Sequence, residues 1–131
     1  MKELSSIFQS ADWRKEKHAP VIDVPEKVKK GERVSVNMVI GKEIAHPNTT
    51  EHHIAWIDVY FHAEGSKFPC HLGRYEFNTH GASTDGPNTS TIYTEPAVAL
   101  TFKTDKSGSL FAFSYCNIHG LWMGSTELKV E

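Results

Sequence analysis

Three short segments of this 131-residue chain gather the side chains that bind metals: Glu16-Lys17-His18-Ala19-Pro20, His46-Pro47-Asn48-Thr49-Thr50-Glu51-His52-His53, and Cys116-Asn117-Ile118-His119. Each alone is a weak signal, because an isolated histidine near a turn usually serves the surface or a hydrogen bond. Together they are hard to dismiss, since they take up five of the eight histidines and one of the two cysteines. Spacing adds to the case. Pro47 fixes its own φ and holds His46 extended at the start of a loop, and His52 ends that loop just before the apolar run Ile54 to Phe61. Cys116 and His119 fall three apart in a turn that Gly120 relaxes, so a thiolate and an imidazole can grip one ion from adjacent directions.

The donor types admit three metals. Cys116, His119 and Met123 match the short, short and long bonds of a blue-copper site, which needs one further histidine and leaves at least two of His18, His46 and His52 without a role. A closed zinc site takes four ligands and also leaves candidates over. Four imidazoles, one thiolate and a nearby carboxylate suit a larger coordination number, and iron accepts both nitrogen and sulfur. Ligand count favours iron, with a copper electron carrier and a structural zinc site as the alternatives.

Strands must position these clusters. Val34 to Ile40 alternates apolar and polar residues, as Leu110 to Tyr115 does in part, which is the period of a half-buried strand. Ile54 to Phe61 reads as a strand covered on both faces. Phe68 to Phe77, Ala97 to Thr104 and Thr126 to Val130 are further strand candidates. Turn chemistry separates them at Gly31-Glu32, Glu64-Gly65-Ser66, Asp85-Gly86-Pro87-Asn88 and Asp105-Lys106-Ser107-Gly108. Six or seven short strands predict an all-β protein, an immunoglobulin-like antiparallel β-sandwich. Only Leu4 to Trp13 looks helical. The loop from Asn78 to Asn88, rich in Gly, Ser, Thr and Asn, is a place for function or mobility.

Composition bounds the rest. A 39% hydrophobic, 23% charged chain of this length is an ordinary globular domain. Residues 1–42 hold nine Lys/Arg against six Asp/Glu, and residues 43–131 hold five against ten. That basic third can steer a small anion, but it is too weakly charged and too poor in aromatics for nucleic acid. No apolar run has the length of a signal peptide or a membrane span, so the expected compartment is the cytoplasm. There Cys70 and Cys116 stay thiols, and the sequons Asn48-Thr49-Thr50 and Asn88-Thr89-Ser90 are chance matches.

The segments Glu16 to Pro20, Gly41-Lys42-Glu43-Ile44-Ala45-His46 through His53-Ile54, and Ser114-Tyr115-Cys116-Asn117-Ile118-His119-Gly120-Leu121-Trp122 resemble the signature segments of superoxide reductases, the neelaredoxin and desulfoferrodoxin family. All three occur in order, and the resemblance covers nearly the whole chain. It implies one mononuclear non-haem iron (Fe2+/Fe3+) in a square of His18, His46, His52 and His119, with Cys116 as the axial thiolate. Glu16 matches the carboxylate that closes the sixth position in the ferric state, and Lys17 the cation beside the open face. The implied reaction is one-electron reduction of superoxide to hydrogen peroxide by an oxidoreductase that an external donor such as rubredoxin re-reduces. The implied assembly is a homotetramer.

No cysteine precedes Cys70, so the chain resembles the one-iron neelaredoxin type, with residues 1–131 as a single iron-binding domain. His53 should point away from the metal, and the backbone amides of Asn117 and Ile118 should reach the Cys116 sulfur. Trp56, Tyr60, Tyr115 and Trp122 should supply core and shielding surface. His62, His71, His80 and Cys70 receive no role.

Overall fold

A computed structural model describes residues 3–12 and 14–131. Its strands are β1 (Val21–Asp23), β2 (Lys27–Val28), β3 (Arg33–Val39), β4 (Ile54–Ala63), β5 (Cys70–Glu76), β6 (Ala97–Lys103), β7 (Gly108–Cys116) and β8 (Gly120–Val130). They form a three-stranded sheet in the order β1-β3-β6 and a five-stranded sheet in the order β2-β8-β7-β4-β5. No helix among the described residues is long and apolar enough to cross a membrane.

The alternation expected of β3 is realised: Val34, Val36 and Met38 are buried, while Arg33, Ser35 and Asn37 face water. They pack against Ile57, Val59 and Leu110 of the opposite sheet, and this two-sheet core is what holds the ends of the strands in place. Along β7 the inward positions are Gly108, Leu110, Ala112, Ser114 and Cys116, all buried. Period two therefore carries Cys116 inward as the last residue of its strand.

Four expectations need correction. β4 is covered on one face only: Ile57 and Val59 are buried, whereas Trp56, Asp58 and Tyr60 on the other face are half-buried. β1 and β2 were not expected, being too short to show a period, and β2 runs parallel to β8, with Val28 beside Val130. β8 begins at Gly120, well before Thr126, because the chain resumes pairing directly after the turn, with Gly120 opposite Cys116. The expected helix from Leu4 is a single 3-10 turn, Leu4–Ser6. Tertiary pairing overrides its propensity: Gln9 N–H donates to Leu121 O at 2.9 Å, and Met123 N–H donates to Gln9 O at 2.8 Å. Trp13, the far end of that expected helix, lies outside the described residues.

Candidate metal centre

The turn after β7 sets the first two donors. Cys116 is fully buried, and the N–H of His119 donates to its Sγ at 3.3 Å. Gly120 follows at φ 81°, a left-handed conformation that closes the turn at no Cβ cost. His119 Nδ1 then stands 3.8 Å from the sulfur.

His18 arrives from the segment before β1. The buried Ser114 hydroxyl of β7 donates to the His18 carbonyl at 3.0 Å, which pins the backbone. Gly124 of β8 lets Pro20 pass close, since a Cβ there would overlap the Pro20 carbonyl oxygen. Trp122 stacks on the His18 ring, centroids 4.5 Å apart and planes at 11°, and its indole N–H donates to His119 O at 3.2 Å. One tryptophan thus steadies two of the imidazoles.

His46 and His52 sit on the loop between β3 and β4 and complete a closed circuit of rings. Centroid separations run 4.7 Å from His18 to His46, 4.8 Å on to His52, 5.0 Å on to His119, and 4.9 Å back to His18. The donor atoms of His18, His52, Cys116 and His119 all lie within 4.8 Å of one another. His46 is outside that tight set. Its Nδ1 donates to Pro47 O at 2.6 Å, which assigns the lone pair to Nε2. The Nε2 atoms of both His46 and His52 are buried without a hydrogen-bond partner. Orphaned ring nitrogens of this kind cost stability unless something satisfies them. A cation among the rings does so, and the donor set fits one.

Electrostatics agrees. Burial lowers the pKa of His46 to about 4, against its hydrogen bond to Pro47 O, which works the other way, and the nearby Lys17 charge adds to the lowering. Burial also lowers His52, with His119 and Lys17 adding to the effect. Both shifts favour the neutral form that ligates metals. Lys17, half-buried, places its charge near these two rings.

Glu16 turns towards His18. Its Oε2 accepts the N–H groups of His18 (2.6 Å) and Ala19 (3.0 Å), and its Oε1 contacts His18 Nδ1. Burial would raise the carboxyl pKa, but these hydrogen bonds outweigh it and hold Glu16 below its ordinary value. The contact leaves His18 Nε2 facing the other donors, 3.2 Å from His119 Nδ1.

Around this centre several expectations resolve. The Asn117 N–H does not reach the sulfur; it donates to His53 O at 3.2 Å, and the amide on sulfur is that of His119. The His53 ring lies flat on His80, centroids 3.5 Å apart, with its Nδ1 2.9 Å from Thr49 O. Met123 pairs with Phe113, an odd number of residues from Cys116, so it projects from the opposite face of the sheet and the Met-ligated copper site has no axial sulfur. Cys70 is an exposed thiol on β5.

Sequence reading missed the bracing of the ligand loop. Asn88, at φ 58°, accepts Thr50 N–H at 2.8 Å and donates to the Glu51 carboxylate, while Thr50 Oγ1 donates to His80 O at 2.9 Å. The loop from Asn78 to Asn88 is thus a strut for the histidine loop. An Asn closing the Asp85-Gly86-Pro87-Asn88 turn was the one local hint of a left-handed residue there.

A cluster of sulfur and nitrogen donors at the end of a two-sheet β-sandwich points to the class: a metalloprotein whose centre is built from three loops. Residues 10–125 match the desulfoferrodoxin family, and the chain belongs to that family. A superoxide reductase (neelaredoxin) from Archaeoglobus fulgidus in the reduced form is 62% identical, with TM-score 0.88 over 94% of this chain and 98% of that one. A Thermotoga maritima crystal structure superposes with TM-score 0.96 at 53% identity, covering 100% of this chain and 99% of that one. The neelaredoxin of Megalodesulfovibrio gigas is 47% identical over 129 residues, 98% of this chain and 99% of its own.

Proposed function

We propose that this protein is a superoxide reductase holding one mononuclear non-haem iron on His18, His46, His52, His119 and Cys116. The observation that carries the reading is the convergence of thiolate and imidazole donors within 4.8 Å, with two buried Nε2 atoms otherwise unsatisfied, in a chain of the desulfoferrodoxin family. Bound iron would supply the one electron that, with two protons, converts superoxide to hydrogen peroxide.

The chain's own groups do the rest. Lys17 and the basic residues 1–42 draw the small anion towards the rings and stabilise its charge. The His119 N–H held on Cys116 Sγ moderates how much charge the thiolate donates. Glu16 orients His18 through Nδ1 and keeps Nε2 free for the metal. To serve also as a ligand of bound ferric iron, the Glu16 carboxylate would have to give up the N–H groups of His18 and Ala19. The same reading takes residues 1–131 as a single domain working in the cytoplasm as a homotetramer, re-reduced by a rubredoxin-type donor.

Metal analysis with electron paramagnetic resonance on purified protein tests the iron assignment. One iron per chain is expected, and stoichiometric copper or zinc in its place overturns it.

A further inference from the structure

β4 and β7 pair as far as Ile54 and Cys116, and beyond that rung the two chains diverge into the histidine loop and the sulfur turn. One residue spans the gap. The backbone N–H of Asn117 donates to His53 O at 3.2 Å, its Oδ1 accepts His53 N–H at 2.8 Å, and its Nδ2 donates to Glu51 O at 2.8 Å. The side-chain amide thereby continues the ladder that the backbone has stopped supplying. These bonds bracket His52 on one side, and on the other Asn117 is bonded directly to Cys116 and stands two residues before His119, whose N–H rests on the sulfur.

We infer that Asn117 is a positioning residue of the metal centre, its carboxamide clasping the Cys116–His119 turn to the His46–His53 loop so that His52, the sulfur and the amide on the sulfur keep one geometry. This rests on the iron reading above. The clasp needs a donor and an acceptor in fixed order: only Asn at this length gives Oδ1 to the His53 amide and Nδ2 to the Glu51 carbonyl. Aspartate keeps the shape but sets a carboxylate oxygen against the Glu51 carbonyl oxygen. Asn117 is exposed, so its replacement opens no cavity and acts on the site rather than on the core. A loosened turn frees the His119 N–H from sulfur, which leaves the thiolate more electron-rich and favours the oxidised metal.

The test compares the wild-type protein with Asn117→Ala and Asn117→Asp, each loaded with iron and, separately, with Co2+. The readouts are metal loss to a chelator, the thiolate-to-metal absorption band, the iron reduction potential and the thermal midpoint. Both variants are expected to fold and to lose metal about ten- to a hundredfold faster, with a displaced band and a more negative potential. Wild-type metal loss, band and potential would overturn the assignment, as would a lowered thermal midpoint with the other three unmoved. Failure of both variants to fold would also contradict it, because the proposed action is local. Wild-type protein that takes up Co2+ with a thiolate band but rejects iron would instead sink the iron reading alone.

Discussion

A carboxylate that accepts two backbone N–H groups and touches an imidazole is part of that imidazole's mounting. Glu16 is placed in this way on His18, so the residue proposed to meet the metal also fixes the tautomer of a proposed ligand. Glu16→Ala should therefore speed iron loss to a chelator by about tenfold and let azide bind the ferric protein more tightly; iron loss at the parent rate would show that the contact does not hold His18. Cys116 is a different case, because its sulfur sits at 0% exposure as a donor. Cys116→Ser keeps the volume but replaces a soft thiolate by a hydroxyl, a poor ligand. Superoxide reduction should be abolished, and wild-type turnover in that variant would contradict a thiolate role.

Elements decide whether these residues meet. Cys116 faces inward because the β7 alternation runs unbroken from Gly108, and His18 is brought to it by the close passage of Pro20 over Gly124. A Cβ at that point must displace the Pro20 carbonyl or bend β8. Gly124→Ala should destabilise the protein by about 1–3 kcal/mol, the usual cost of overpacking, and should weaken metal retention as well; an unchanged thermal midpoint would mean that the segment yields freely. The residues that come together here were legible in the sequence, since His46, His52, Cys116 and His119 stand in short clusters beside Pro47, Gly120 and strong strand patterns. Their bracing was not. Asn88 on Thr50, Asn117 on Glu51 and Ser114 on His18 each join residues 38 or more positions apart, and no local pattern encodes such a pairing. The amino-terminal segment misled for a related reason: Leu4 to Trp13 looks helical in sequence, yet the backbone of Gln9 finds partners on β8 and Phe8 packs edge-on against Phe113 at 5.7 Å.

At the scale of the molecule, the centre ties together three stretches that are distant in sequence: the approach to β1, the β3–β4 loop and the β7–β8 turn. The core beneath them, with Val34, Ile57 and Leu110 fully buried, is held by apolar contacts that use none of the candidate imidazoles. Ligand binding to the folded state alone stabilises it by mass action. Metal removal should thus lower the thermal midpoint while the β-sheet circular dichroism signal persists; unfolding on chelation would show that the sandwich cannot stand without its centre. The proposed function draws on the same division, a sheet pair carrying loops that present Lys17, the four imidazoles and one sulfur. The most direct test of that account is stopped-flow mixing of the ferrous protein with superoxide. It predicts that each superoxide consumed yields one hydrogen peroxide and no dioxygen, with one ferrous site oxidised per event. Evolution of one dioxygen for every two superoxides consumed, with the iron returning to the ferrous state unaided, would contradict it.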